Sequence, residues 1–198
     1  MLRNIRNLAF GSLAVITLLL VCAVTPAHGS TILGVQPSTT IVPGPLGQTV
    51  TVDIDITGVT DLYSWAFSLN VDSSILTITG ATEGSFLSGG GETTFFPGTI
   101  DSNGNIFGVG DTLVGPVSGV NGDGTLATVT FVTAGYGLTP VDLFSVKLFD
   151  PNGNPITTSG PNQGIVEVVA SVPEPATWAL LGLGLTGLSL LRRRKRPS

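Results

Sequence analysis

The sequence predicts an all-β fold, an antiparallel β-sandwich, for the stretch from residue 30 to residue 170. Three observations carry the prediction. Apolar and polar residues alternate with period two in run after run, as strands with one buried and one wet face require. The runs are short and separated by dense Gly, Pro and Asn punctuation. No part of the stretch offers helical periodicity.

Taken in order, Thr31 to Val35 is a short candidate strand. Val50, Val52, Ile54 and Ile56 then alternate with Thr51, Asp53, Asp55 and Thr57. The strongest run follows, with Tyr63, Trp65, Phe67, Leu69 and Val71 alternating with Ser64, Ala66, Ser68, Asn70 and Asp72. Short candidates lie at Ile75 to Thr79, Thr94 to Ile100 and Asn105 to Val109. Ala127, Val129 and Phe131 alternate with Thr128 and Thr130. Phe144, Val146 and Leu148 are expected on one face, with Ser145 and Lys147 on the other, and Ile165 to Val169 closes the set. The breakers include Pro43-Gly44-Pro45, Gly89-Gly90-Gly91, Asn103-Gly104, Asn121-Gly122 and Asn152-Gly153, and Asn-Gly pairs supply the positive φ of tight hairpins. Eight or nine strands result. Trp65, Phe67, Phe131 and Phe144 are the expected centre of the core, aromatics that bury about 150–250 Å² each.

Both ends of the chain read as targeting segments. At the N-terminus, Arg3 and Arg6 precede an apolar run from Leu8 to Val24, and Ala27-His28-Gly29 supplies small residues before Ser30. Residues 1–29 therefore read as a secretory signal peptide, with a retained membrane anchor as the alternative, since the apolar run is nearly long enough to span. At the other end, residues 171–198 hold Pro173-Glu174-Pro175, an uncharged stretch 176–191, and the basic run Arg192, Arg193, Arg194, Lys195 and Arg196. A helix over 176–191 is about 24 Å long at 1.5 Å per residue. That is short for a hydrocarbon core of about 30 Å, and snorkelling arginines can close the gap, so a transmembrane helix is expected. Positive charge at both ends keeps them cytoplasmic and puts the middle on the far side of the membrane.

Composition limits the chemistry of that middle part. Lys147 is the only Lys or Arg between Ser30 and Ala170, against twelve acids, so its net charge is near −11 although the whole chain carries −5. Such a surface repels nucleic acid and anionic lipid. The only cysteine, Cys22, and the only histidine, His28, lie in the N-terminal segment. Without them the exported part has no disulfide, no imidazole or thiolate metal ligand, and no Ser-His-Asp triad or Cys-His dyad. Any metal would be held by oxygen, which points to calcium.

Pro173-Glu174-Pro175, a short apolar helix and a terminal Arg/Lys cluster together resemble the PEP-CTERM sorting signal of Gram-negative bacteria. The resemblance implies an exosortase as processing partner, transient anchoring in the membrane, export across the inner membrane, and delivery to the cell surface or extracellular matrix. A second resemblance covers most of Thr31 to Val169. Tyr63, Trp65, Phe67, Leu69, Asp72, Ile75, Leu76, Glu83, Gly84, Phe86 and Leu87 stand in the order of the early strands of a cohesin domain. Gly124 to Gly135 and Asp142 to Ile156 resemble later strands of the same domain. The resemblance implies a nine-stranded jelly-roll in the superfamily shared with some carbohydrate-binding modules, and non-covalent docking of a dockerin-like protein. A polysaccharide of the matrix is the alternative partner.

The candidate sites are few. Asp101, Asn103 and Asn105, and again Asp150, Asn152 and Asn154, begin like a calcium loop. Ile106 and Pro155 stand where an EF-hand needs Gly, and Thr112 and Pro161 where it needs an acid, so neither is an EF-hand. A plain Asn-Gly turn explains both, with an irregular calcium site as the competing reading. Phe95-Phe96 breaks alternation, so one of the two must leave the core, and the pair is the candidate binding surface. Trp65 and Tyr63 suit core packing better than glycan stacking. Asp53 and Asp55 read as a solvated strand face. Glu83 and Glu92 flank a Gly/Ser-rich loop and could serve as the acid and nucleophile of a carboxylate-only glycan-active enzyme, a further alternative, but nothing in the sequence sets their separation. The expectation is a binding protein with no catalytic residues.

Overall fold

The computed structural model of the chain describes residues 30–171 and 180–186. The expected signal peptide 1–29, Pro173, Glu174, Pro175 and the basic run Arg192 to Arg196 lie outside the described residues. Of the expected helix 176–191, residues 180–186 are described and are helical. Among the described residues no helix is long and apolar enough to cross a membrane.

Ten strands and one short helix make up the rest: β1 (Ile32–Gln36), β2 (Thr39–Pro43), β3 (Thr49–Leu62), β4 (Ser64–Asn70), β5 (Leu76–Glu83), α1 (Ser85–Ser88), β6 (Thr93–Ile100), β7 (Asn105–Leu113), β8 (Val120–Thr133), β9 (Gly137–Phe149) and β10 (Gly164–Val169). They form a sandwich of a four-stranded sheet, order β1-β3-β8-β5, and a six-stranded sheet, order β2-β10-β9-β4-β7-β6. The predicted class holds. Nine strands sit where alternation placed them. The tenth, β2, was not foreseen: Pro37 has no N–H to continue the β1 ladder, and the chain crosses to the other sheet. There β2 pairs with β10 in parallel, the one departure from antiparallel pairing between the strands.

The inner faces close over Ile54 and Ile56 of β3, Trp65, Phe67 and Leu69 of β4, and Val129 and Phe131 of β8, all at most 3% exposed. Trp65 stacks on Phe67 with ring centroids 5.5 Å apart and planes 9° apart. Phe144 departs from the expected core. Ser145 has φ 52°, and the β4–β9 register shifts between Ala66 and Ser68. This bulge turns β9 over within two residues. Leu143 and Leu148 are thereby buried opposite Leu69 and Trp65, and Phe144 moves to the outer face opposite Ser68.

The distal half of β3 is fixed by side chains rather than by a regular ladder. Asp61 takes φ 58°, its N–H donates to Asn121 Oδ1 at 2.9 Å, and its own Oδ1 accepts from Gly119 N–H at 2.9 Å. Gly58 N–H donates to Asp123 Oδ1 at 2.6 Å. Those acids are therefore structural.

Candidate docking face

The two outer faces of the sandwich differ in kind. On the four-stranded sheet, β3 presents Thr49, Thr51, Asp53, Asp55 and Thr57, and β8 presents Thr125, Thr128 and Thr130. Thr128 and Thr125 hydroxyls donate to Asp53 and Asp55 at 2.6 and 2.7 Å. This face is polar and satisfies itself, as the solvated reading of Asp53 and Asp55 expected.

The six-stranded sheet presents aromatics to water. In register across β6, β7, β4 and β9 lie Phe96, Gly110, Ala66 and Lys147. Gly110 and Ala66 make a low floor between a phenyl ring and the only Lys or Arg among the described residues. The neighbouring row holds Thr99, Phe107, Ser68 and Phe144. Phe107 meets Phe144 edge-on, with centroids 5.9 Å apart and planes at 82°. Ser68 is only 6% exposed and accepts from Gly108 N–H at 3.3 Å. Phe96 is 54% and Phe107 45% exposed. Large exposed rings around a shallow floor are the composition of an interface core. Gly110 is required there: a Cβ would meet the Trp65 carbonyl oxygen at 2.8 Å.

The Phe95-Phe96 pair divides as its broken alternation implied. Phe95 turns inward, 6.3 Å from the Trp65 ring, and Phe96 outward. Trp65 is 3% exposed and Tyr63 donates its hydroxyl to the Gly115 carbonyl at 2.8 Å, so neither ring offers a flat platform for a sugar. Phe107 and Phe144 escaped the sequence reading as surface residues, and the juxtaposition of both with Lys147 depends on strand register.

The two Asx loops are built alike. Asp101 Oδ1 accepts from the backbone N–H groups of Asn103 and Asn105, each at 2.9 Å, and its Oδ2 from Asn105 Nδ2 at 2.9 Å. Asp150 repeats this with Asn152 N–H, Asn154 N–H and Asn154 Nδ2, each at 2.8 Å. Donation from the Asn105 and Asn154 side chains first, and from the backbone next, holds both carboxyls below the usual carboxylate range. Each loop closes on its own amides. Among the described residues no group of three or more His, Cys, Asp or Glu could hold a metal ion.

Glu83 and Glu92 have different surroundings. Glu83 accepts from the Thr93 hydroxyl at 2.6 Å and neighbours Asp111, whereas the Glu92 backbone carbonyl accepts from Val114 N–H at 2.8 Å.

Comparison with known proteins agrees with this architecture. The family model described as the PEP-CTERM protein-sorting motif matches residues 171–195, and the cohesin domain model matches residues 37–168. No match was found among curated proteins. Among solved structures, the chain is similar to the non-cellulosomal cohesin of the archaeon Archaeoglobus fulgidus, at 19% identity and TM-score 0.54, covering 71% of this chain and 91% of that one. The third ScaC cohesin of Acetivibrio cellulolyticus, solved in complex with the ScaB dockerin, gives 20% identity and TM-score 0.57 over 71% of this chain and 99% of that one. A type I cohesin–dockerin complex of Clostridium thermocellum, Coh-OlpC with Doc435, gives 16% identity and TM-score 0.56 over 71% and 94%. At these identities the structural likeness shows the fold. The family-model match spans most of the chain, which belongs to the cohesin domain family and carries a PEP-CTERM sorting motif behind the sandwich.

Proposed function

We propose that this protein is an exported, non-enzymatic docking module that binds a dockerin-like partner on the outer face of its six-stranded sheet. The observation that carries the reading is the frame of Phe96, Phe107, Phe144 and Lys147 around Gly110 and Ala66, set against the hydroxyl-lined face opposite. An amphipathic helix laid on such a face buries apolar anchors between the rings. The dockerin solved with the Acetivibrio cohesin has a C-terminal helix, a partner of that shape. The PEP-CTERM motif supports processing by an exosortase and delivery to the cell surface or matrix, after transient anchoring by the C-terminal segment.

Isothermal titration of the purified chain against a panel of dockerin modules tests the reading, with Phe96→Ala and Phe107→Ala as face variants and Thr51→Ala as the control on the other sheet. Binding that weakens about tenfold or more in the face variants, and not in the control, is the expected result. No binding by any module would sink the dockerin reading. Binding lost only in the control would move the interface to the other sheet. Fractionation of producing cells, with the mass of the mature protein, tests the sorting part.

A further inference from the structure

One buried acid on the inner face of the six-stranded sheet is left unexplained by docking. Asp111 of β7 is 2% exposed and sits in register between Trp65 of β4 and Phe95 of β6, whose rings lie 6.3 Å apart. Its Oδ1 accepts from Thr112 N–H at 2.8 Å, and its Oδ2 is buried with no donor. An ionised carboxylate in that position needs a cation or several donors. None is at hand. Lys147 is on β9, on the outer face, and the ring N–H of Trp65 makes no hydrogen bond.

What Asp111 does have beside it is a second acid. Glu83 ends β5 in the opposite sheet, at the solvent rim. The Thr93 hydroxyl holds its Oε1 at 2.6 Å. Thr93 pairs with Leu113, two residues along β7 from Asp111, and shares the inner side of β6 with Phe95, so the bond holds Glu83 at the end of the sheet where Asp111 feels its charge. Gly84, directly after it, is pressed so closely on the Thr125 carbonyl that a Cβ would lie 2.2 Å from the oxygen, which fixes the backbone that delivers Glu83.

We propose that Asp111 and Glu83 share one proton, forming a latch between the open edges of the two sheets that mild acid keeps shut and neutral pH releases. The proton on Asp111 Oδ2 donates to the Glu83 carboxylate and so satisfies the orphaned oxygen. When it leaves for water, two carboxylates face each other without a counter-charge, and β5 is pushed away from β6 and β7. Burial, then the Glu83 charge, raise the Asp111 carboxyl to about 6, with the Thr112 N–H opposing and the Glu83 hydrogen bond adding to the rise.

Other groups facing Asp111 do not alter this. β4, β6 and α1 carry no titratable side chain, and β7 carries no second one. Asp123 of β8 is committed to Gly58 N–H at 2.6 Å, the Tyr63 hydroxyl to Gly115, and Glu92 before β6 is exposed. The latch does not depend on the docking reading. Joined to it, the latch makes β6, the strand that presents Phe96, responsive to pH.

Thermal melts of the purified chain in detergent, from about pH 4 to about pH 8, test the latch, because the folded state here binds more protons than the unfolded one. The melting temperature is expected to fall as pH rises from the ordinary carboxyl value of 3.8 to about 6, and to level off above that. Asp111→Asn, whose amide still donates to Glu83, should remove that fall. An unchanged slope in this variant overturns the proposal. Should Asp111→Asn fail to fold, carboxyl carbon NMR of the wild type and Glu83→Gln decides. Glu83→Gln should shift the Asp111 midpoint downward, and a midpoint that does not move overturns the latch.

Discussion

The Thr93 hydroxyl donates to Glu83 Oε1 at 2.6 Å, joining the first residue of β6 to the last residue of β5 across the two sheets. Both strands are sheet edges, and this bond spans the gap between them. Thr93→Val keeps the shape and removes the donor. Its expected cost is about 0.5–1.5 kcal/mol, read as a lower midpoint in urea with an unchanged slope.

The centre of the sandwich should be far less tolerant. Phe131 is fully buried, paired with Val50 on one side and Ile78 on the other. Phe131→Ala leaves a cavity that the flanking strands cannot fill, so a loss of about 3–5 kcal/mol is expected in denaturant melts.

The docking face separates affinity from stability. Ala66 lies outward on the floor, between Gly110 and Lys147. Ala66→Arg adds bulk on the solvent side and is expected to shift stability by less than about 0.5 kcal/mol, while abolishing dockerin binding in the titration that detects it for the wild type. Retained binding would place the partner elsewhere.

The twin Asx loops respond to acid. Asp101 and Asp150 are held below the usual carboxylate range in the folded chain, so their contribution is present above the ordinary value of 3.8 and lost as pH falls through the folded values. Replacing both by Ala should flatten the acid limb of the stability curve measured by urea melts. A calcium titration followed by melting temperature is expected to be flat, since the Asp101 carboxylate already accepts four N–H bonds and the Asp150 carboxylate three. A rise would mean that the asparagine amides turn their oxygens to an ion.

Much of this fold could be read from period-two alternation, because Val50 to Ile56 and Trp65 to Leu69 each have one face that must be dry. The reading failed where the period itself breaks. The Ser145 bulge sends Phe144 outward, and a short strand ending in Pro43 gave too little pattern to register as β2. The docking face was harder still. Phe96, Phe107 and Phe144 belong to three strands and become neighbours only through pairing registers that no local pattern encodes. Asp111 was invisible for a different reason. An acid within a strand ordinarily faces water, and its inward turn follows from the register shift between Phe67 and Leu69 in the β4–β7 pairing.

The parallel β2–β10 pairing has a mechanical consequence. β10 is the last strand before the sorting motif, and it is bonded along its length to β2 on one side and β9 on the other, five registered residue pairs with each. A pull transmitted from the C-terminal end runs along β10, so both ladders are loaded in shear and must rupture together instead of unzipping one bond at a time. A domain pulled from that end is thus braced along the direction of the load.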